Sequence, residues 1–246
     1  VNSGKSLKLG TIKKLSTVLL DSFLPLLCLL LIPLALYCSF IFAPAEKVMG
    51  PVQRILYFHV GSAMASYLML GVLFVGSVCY LTWRDLYFYH ISRAAASVAL
   101  LFGGIVLFTG MLWGYSSWNT WWNWEPRLVS MLVLWIFLLS YTYVQSISFS
   151  GDSEKAVISS VLGILCAVQV PIVIFSIKLL DRTQQLHPEV VATQGLTSAG
   201  YRIALIVSNF AMLFLSVLLC RMVYRLVRVQ WKTTHLKRQV LIKESK

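Results

Sequence analysis

Six long apolar runs decide what this chain can become. They cover roughly residues 18–42, 54–82, 94–113, 128–147, 156–178 and 200–222. Each is about as long as the ~20 residues that cross the hydrocarbon core of a bilayer as a helix. The expected fold is an all-α integral membrane protein with six transmembrane helices. Composition agrees, because 58% of residues are hydrophobic and only 12% are charged, about half the charged share of a soluble domain. Pro25, Pro33 and Pro171 fall inside runs, which membrane helices tolerate when neighbours satisfy the freed carbonyls. The expected organisation is a basic tail at 1–17, one membrane domain at 18–222 and a second basic tail at 223–246.

The net charge of +12 is placed around these runs rather than on a separate face. Lys5, Lys8, Lys13 and Lys14 precede the first run, and the basic residues from Arg221 to Lys246 close the last. That placement speaks for membrane orientation and against nucleic acid as a partner. Six spans put both termini on one side. Lys47, Arg54, Arg127, Lys178, Arg182 and Arg202 then lie on the opposite side, and the other fifteen of the 21 cations lie with the termini. The excess orients the termini to the cytoplasm, in a bacterial inner membrane, or to the matrix in a mitochondrial inner membrane. The basic start followed by apolar residues has the outline of a signal peptide. The run is long and lacks a clean small-residue cleavage site, so it reads as a retained first span.

Several chemistries are disfavoured. Cys28, Cys38, Cys79, Cys166 and Cys220 form no CxxC or CxxCH pattern, so neither thiol exchange, a zinc site nor covalent heme attachment to the chain is expected. Ser3-Gly4-Lys5-Ser6 echoes the end of a phosphate-binding loop but lacks the earlier glycine and the preceding strand. Acidic residues fall in the connections rather than near span centres, which disfavours a pathway for polar substrates. No catalytic constellation can be assembled, so the chain is not expected to be an enzyme.

The informative stretch is 113–127, which reads W-G-Y-S-S-W-N-T-W-W-N-W-E-P-R. It holds Trp113, Trp118, Trp121, Trp122 and Trp124, five of the chain's eight tryptophans. An interfacial aromatic belt would spread such rings over every helix end. Concentrated in one loop, they suit a platform for a large planar apolar ligand. A porphyrin fits that description better than a quinone. His59 and His187 flank the loop in sequence and share its expected side of the membrane. His90 and His235 fall in charged surroundings at the opposite side, where solvated surface positions are expected.

The loop resembles the tryptophan-rich signature, or WWD domain, of the heme-handling membrane proteins of cytochrome c biogenesis. Its single loop and the chain length resemble the CcmC-like members. The likeness extends from Tyr57-Phe58-His59-Val60 through Val170-Pro171-Ile172-Val173 to Leu186-His187-Pro188. Glu125 stands where the family usually has Asp, Asn119 where glycine is common, and Leu179-Leu180 where an aromatic pair is expected. The resemblance implies non-covalent heme b with His59 and His187 as axial iron ligands. It implies as partners a periplasmic chaperone (CcmE-like), ABC-transporter subunits (CcmA/CcmB-like) and a small membrane subunit (CcmD-like), besides membrane lipid. Arg54 and Arg127 are candidate partners for heme propionates. Arg127 is equally suited to anchor a span at the headgroups. Glu125 is suited to a partner, an indole N–H or Arg127. The competing class is a heme b- or quinone-linked electron-transfer protein, disfavoured because no histidine falls at mid-span.

Overall fold

The structure is a computed structural model that describes residues 21–46, 49–147, 151–176 and 198–244. Among them there is no strand, and six helices are long and apolar enough to cross a membrane. They are α1 (Asp21–Phe42), α2 (Ile55–Trp83), α3 (Leu86–Trp118), α4 (Pro126–Ser146), α5 (Asp152–Phe175) and α6 (Ala199–Glu244). The all-α six-span architecture read from the sequence is the one observed.

Helix ends follow local chemistry. α1 closes in a π-turn over Cys38–Phe42, where the Ala43 N–H reaches the Cys38 carbonyl at 2.9 Å. A 3-10 turn at Pro51–Arg54 leads into α2, with proline at the position whose N–H needs no partner. Between α2 and α3 the chain reverses in two residues. Arg84 takes the left-handed conformation (φ 57°) and returns its N–H to Tyr80, and the Asp85 carboxylate accepts the Tyr87 N–H at 2.9 Å as an N-cap. Of residues 83–93 only Arg84 and Asp85 lie outside the two helices. α3 also runs past residue 113, so Trp113 to Trp118 are helical and the true loop is shorter. With 33 residues α3 is about 50 Å long, well beyond the ~30 Å hydrocarbon core.

α2 is the central helix and packs against α3, α6 and α5, while α4 lies on α3 and α5. Lipid provides no hydrophobic drive between helices, so close approach through small residues carries the packing. A Cβ on Gly61 would sit 2.9 Å from Met212 Cγ of α6, and one on Gly163 of α5 would sit 2.5 Å from Ser77 Oγ of α2. The interior behind these contacts is apolar, with Leu70, Leu73, Phe102, Leu134 and Leu138 fully buried. Polar bonds add specificity. Ser39 meets Ser208 at 3.1 Å, joining α1 to α6, and Asp21 pairs with Arg221 and Arg225 at the other end of the same helices.

Candidate functional site

The start of α2, the end of α3, residues 119–125 and the start of α4 enclose a cavity of about 370 Å³. It falls within the ~300–1,000 Å³ of ordinary ligand pockets. From α2 it takes Leu56, His59, Ala63 and Tyr67, which recur at the three- and four-residue spacing of one helical face. α3 contributes Gly110, Trp113, Gly114 and Trp118, the connecting segment adds Trp121, Trp122 and Glu125, and α4 adds Arg127.

Two local features let the aromatic segment fold over this space. Asn119 ends α3 in the left-handed conformation (φ 55°), returning its N–H to Tyr115 at 3.0 Å. Asparagine is the usual substitute for glycine at such a helix end. Gly114 then permits close approach, since a Cβ there would lie 3.2 Å from the Thr120 carbonyl.

The indoles do not form one flat sheet. Trp113 and Trp118 meet edge to face at 4.7 Å, as do Trp122 and Trp124 at 5.8 Å, and Trp121 stacks on Tyr115 at 4.4 Å. Edge-to-face pairs are among the preferred aromatic arrangements and brace one another. The result is a curved wall. Trp124 is outside it, 79% exposed and off the cavity lining.

His59 Nδ1 lies 2.9 Å from Thr109 Oγ1, and that hydroxyl lies 2.7 Å from the Ile105 carbonyl and 3.3 Å from the Val106 carbonyl. A threonine hydroxyl that donates to either carbonyl accepts from the ring, an arrangement that corresponds to the tautomer with its hydrogen on Nδ1. A histidine held at Nδ1 by a neighbouring group is the usual setting of an imidazole that ligates a metal through Nε2. Gly110 keeps the ring seated, because its Cβ position is 3.4 Å from His59 Cε1.

Around the ring, Trp122 Nε1 is buried with no hydrogen-bond partner among the described residues. A buried donor of this kind calls for an acceptor. Glu125 is only 9% exposed and Arg127 lines the same cavity. Arg54 does not line it. Its guanidinium lies 5.9 Å over the Phe40 ring of α1. His187 lies outside the described residues. An apolar cavity with an imidazole held by Thr109, an arginine and an unsatisfied indole N–H fits a large planar ligand bearing carboxylates. Thr109, Gly110 and Tyr67 join the site without any sequence motif to announce them.

A sequence profile of the family described as heme exporter protein C matches residues 8–239. A heme exporter protein C of Bradyrhizobium diazoefficiens is 31% identical over 204 residues, which is 81% of this chain and 76% of that protein. A Marchantia polymorpha protein described as a ccmC-like mitochondrial protein of cytochrome c biosynthesis is 33% identical over 150 residues, 61% of this chain and 63% of its own. The heme exporter protein C of Escherichia coli K12 is 32% identical over 142 residues, 57% of each chain.

Proposed function

The chain belongs to the heme exporter protein C family, and on that premise we propose that it holds heme b non-covalently at the outer membrane face and passes it to a heme chaperone during maturation of c-type cytochromes. The observation that carries this reading is the meeting of His59, held at Nδ1 by Thr109, with four indoles in one cavity.

Heme brings an iron that accepts two axial imidazoles and two propionates that accept cations. His59 is assigned to one axial position through Nε2. His187 is assigned to the other on the resemblance alone. Trp113, Trp118, Trp121 and Trp122 cover the macrocycle and exclude water, and Trp124 belongs to the exposed rim. Arg127 is the cation assigned to a propionate, with Trp122 Nε1 as a second donor. Arg54, set against Phe40, is left to anchor α2 to α1. Glu125 is assigned to orienting the loop from within the cavity wall.

The cation bias supports an orientation with the termini in the cytoplasm and this cavity outside. The chain carries no ATP-binding motif, so uphill movement of heme requires another subunit. CcmA/CcmB-like transporter subunits, a CcmD-like membrane subunit and a CcmE-like chaperone are the proposed partners.

Purification in mild detergent after heme-replete expression, followed by a pyridine hemochrome assay, tests the reading. The expected result is a b-type hemochrome with a low-spin bis-imidazole spectrum. His187→Ala converts that spectrum to one of a single imidazole ligand. A preparation without any b-type hemochrome would defeat the proposal.

A further inference from the structure

A second cavity, of about 360 Å³, lies at the other end of the bundle between the starts of α3 and α5 and the distal part of α6. His90 to Gly110 is twenty residues along α3, so the two cavities stand about 30 Å apart, one hydrocarbon thickness. His90 lines it at 5% exposure, and its Nε2 has no hydrogen-bond partner among the described residues. Arg93 lines the same space one turn on, and no carboxylate lies within ion-pair distance of it among the described residues. Lys155 adds a second cation, and its ammonium donates to the Gln145 carbonyl at 2.5 Å and to the Ile147 carbonyl at 2.9 Å. One acid, Asp152, is present, and its Oδ2 accepts the Trp231 N–H at 3.3 Å. The Trp231 ring stands 5.6 Å from His90 and stacks on His235 at 5.3 Å.

Two cations against one acid, with a buried imidazole nitrogen unsatisfied, make a site for an oxyanion. Its size and place narrow the ligand. Broad apolar faces come only from Leu86, Tyr89 and Trp231, far fewer than line the first cavity, so a whole macrocycle is poorly matched. In α6 the lining residues Gln230 and Trp231 are flanked in sequence by Arg228 and Lys232. Basic pockets between membrane helices at a membrane surface receive anionic lipid headgroups. We propose that this cavity binds the phosphate of an anionic phospholipid, with Arg93 and His90 Nε2 as its donors, the Lys155 charge in the same lining, and Trp231 against the glycerol and upper acyl region. The same phosphate chemistry is offered by free phosphate, and the test separates the two sources.

The full chain is exchanged into nanodiscs of equal phosphatidylglycerol and phosphatidylcholine, and retained lipids are counted by native mass spectrometry. Phosphatidylglycerol is expected in preference, by about fivefold for each basic contact at an anionic surface. Arg93→Gln lowers the ratio about fivefold, and His90→Gln lowers it by a smaller factor. Arg93→Lys keeps most of the preference, which guards against a folding artefact. Lys232→Gln, next to Trp231 in sequence and off the lining, leaves the ratio nearly unchanged. Millimolar inorganic phosphate leaves the lipid in place. Equal retention of the two lipids, or a ratio unmoved by Arg93→Gln, overturns the proposal. So does an equal fall in Lys232→Gln, which would mean a diffuse basic surface. Displacement by inorganic phosphate overturns the lipid assignment in favour of the free anion.

Discussion

The two ends of α3 put the same residue type to different use. At one end His59 of α2 is bonded through Nδ1 to Thr109, and indoles surround it. At the other, His90 is buried with Nε2 unsatisfied, beside two cations and a single indole. The cavities are nearly equal in volume, about 370 and 360 Å³. Volume therefore does not decide what each can hold. The hydrogen-bond partner sets which ring nitrogen is available, and the wall sets whether an apolar plane or an anion is stabilised. The comparison predicts that changes at one end leave the other intact.

The largest effect tests that separation directly. His59→Gly removes the assigned iron ligand, and heme content of the purified protein should fall more than ~10-fold, as losses at metal sites do. Added imidazole should restore part of the low-spin spectrum. The phosphatidylglycerol ratio at the far end should not move. His90→Gln should do the reverse. If His90→Gln lowered heme content as strongly as His59→Gly, the two ends would not be independent sites.

Thr109 ranks next. Thr109→Val keeps the shape but removes the acceptor that holds Nδ1–H. Outer-shell partners of ligating histidines are worth ~10–100-fold in affinity, so heme retention should fall toward the lower figure. The low-spin electron paramagnetic resonance signature should also broaden as the ring loses its fixed plane. Thr109→Ser should restore both. An unchanged signature in Thr109→Val would reduce the threonine to packing.

The tryptophan wall gives a smaller, internally controlled effect. Trp122→Phe keeps an aromatic face but deletes the buried N–H. Loss of one hydrogen bond of about 1 kcal/mol should weaken heme retention about fivefold. Trp124→Phe, outside the cavity, should change it little. Equal effects at the two positions would show that ring loss, not the donor, is being measured.

How much of this was readable from residue order differs between the two ends as well. The six spans were readable because lipid demands long apolar runs and little else does. The indole segment and His59 were readable because unusual residue types were concentrated near one another. Thr109 was not, since a hydroxyl in an apolar run has no periodic signature, and its value comes from facing His59 across fifty residues of chain. His90 was expected to be solvated because Arg84, Asp85 and Arg93 surround it in sequence. It is buried because α6 does not stop at residue 222. It continues to Glu244 and lays Trp231 beside the imidazole. Arg54 was placed near the site by its closeness to His59. Its guanidinium lies over Phe40, with Nε buried and without a hydrogen-bond partner among the described residues. Composition separates apolar from polar segments, but it does not distinguish a polar residue in a connection from one lining a cavity.

The smallest effect concerns the hinge of the aromatic segment. Asn119 occupies a left-handed helix end where the resembled pattern carries glycine. An ordinary L-residue there costs about 1–2 kcal/mol, and asparagine less because its side chain suits that region. Glycine removes the remaining strain but loses more backbone freedom on folding, an opposing cost of about 0.5–1 kcal/mol. The terms nearly cancel, so Asn119→Gly should shift thermal stability in detergent by less than ~0.5 kcal/mol and leave the heme spectrum unchanged. Asn119→Ala has neither the side chain's suitability nor glycine's freedom and should lose about 1 kcal/mol. Its heme spectrum should change with that loss, because the same turn positions Trp121 and Trp122, while the lipid ratio at the His90 end stays constant. An alanine variant as stable as the parent would mean that the segment does not depend on this conformation to cover the cavity.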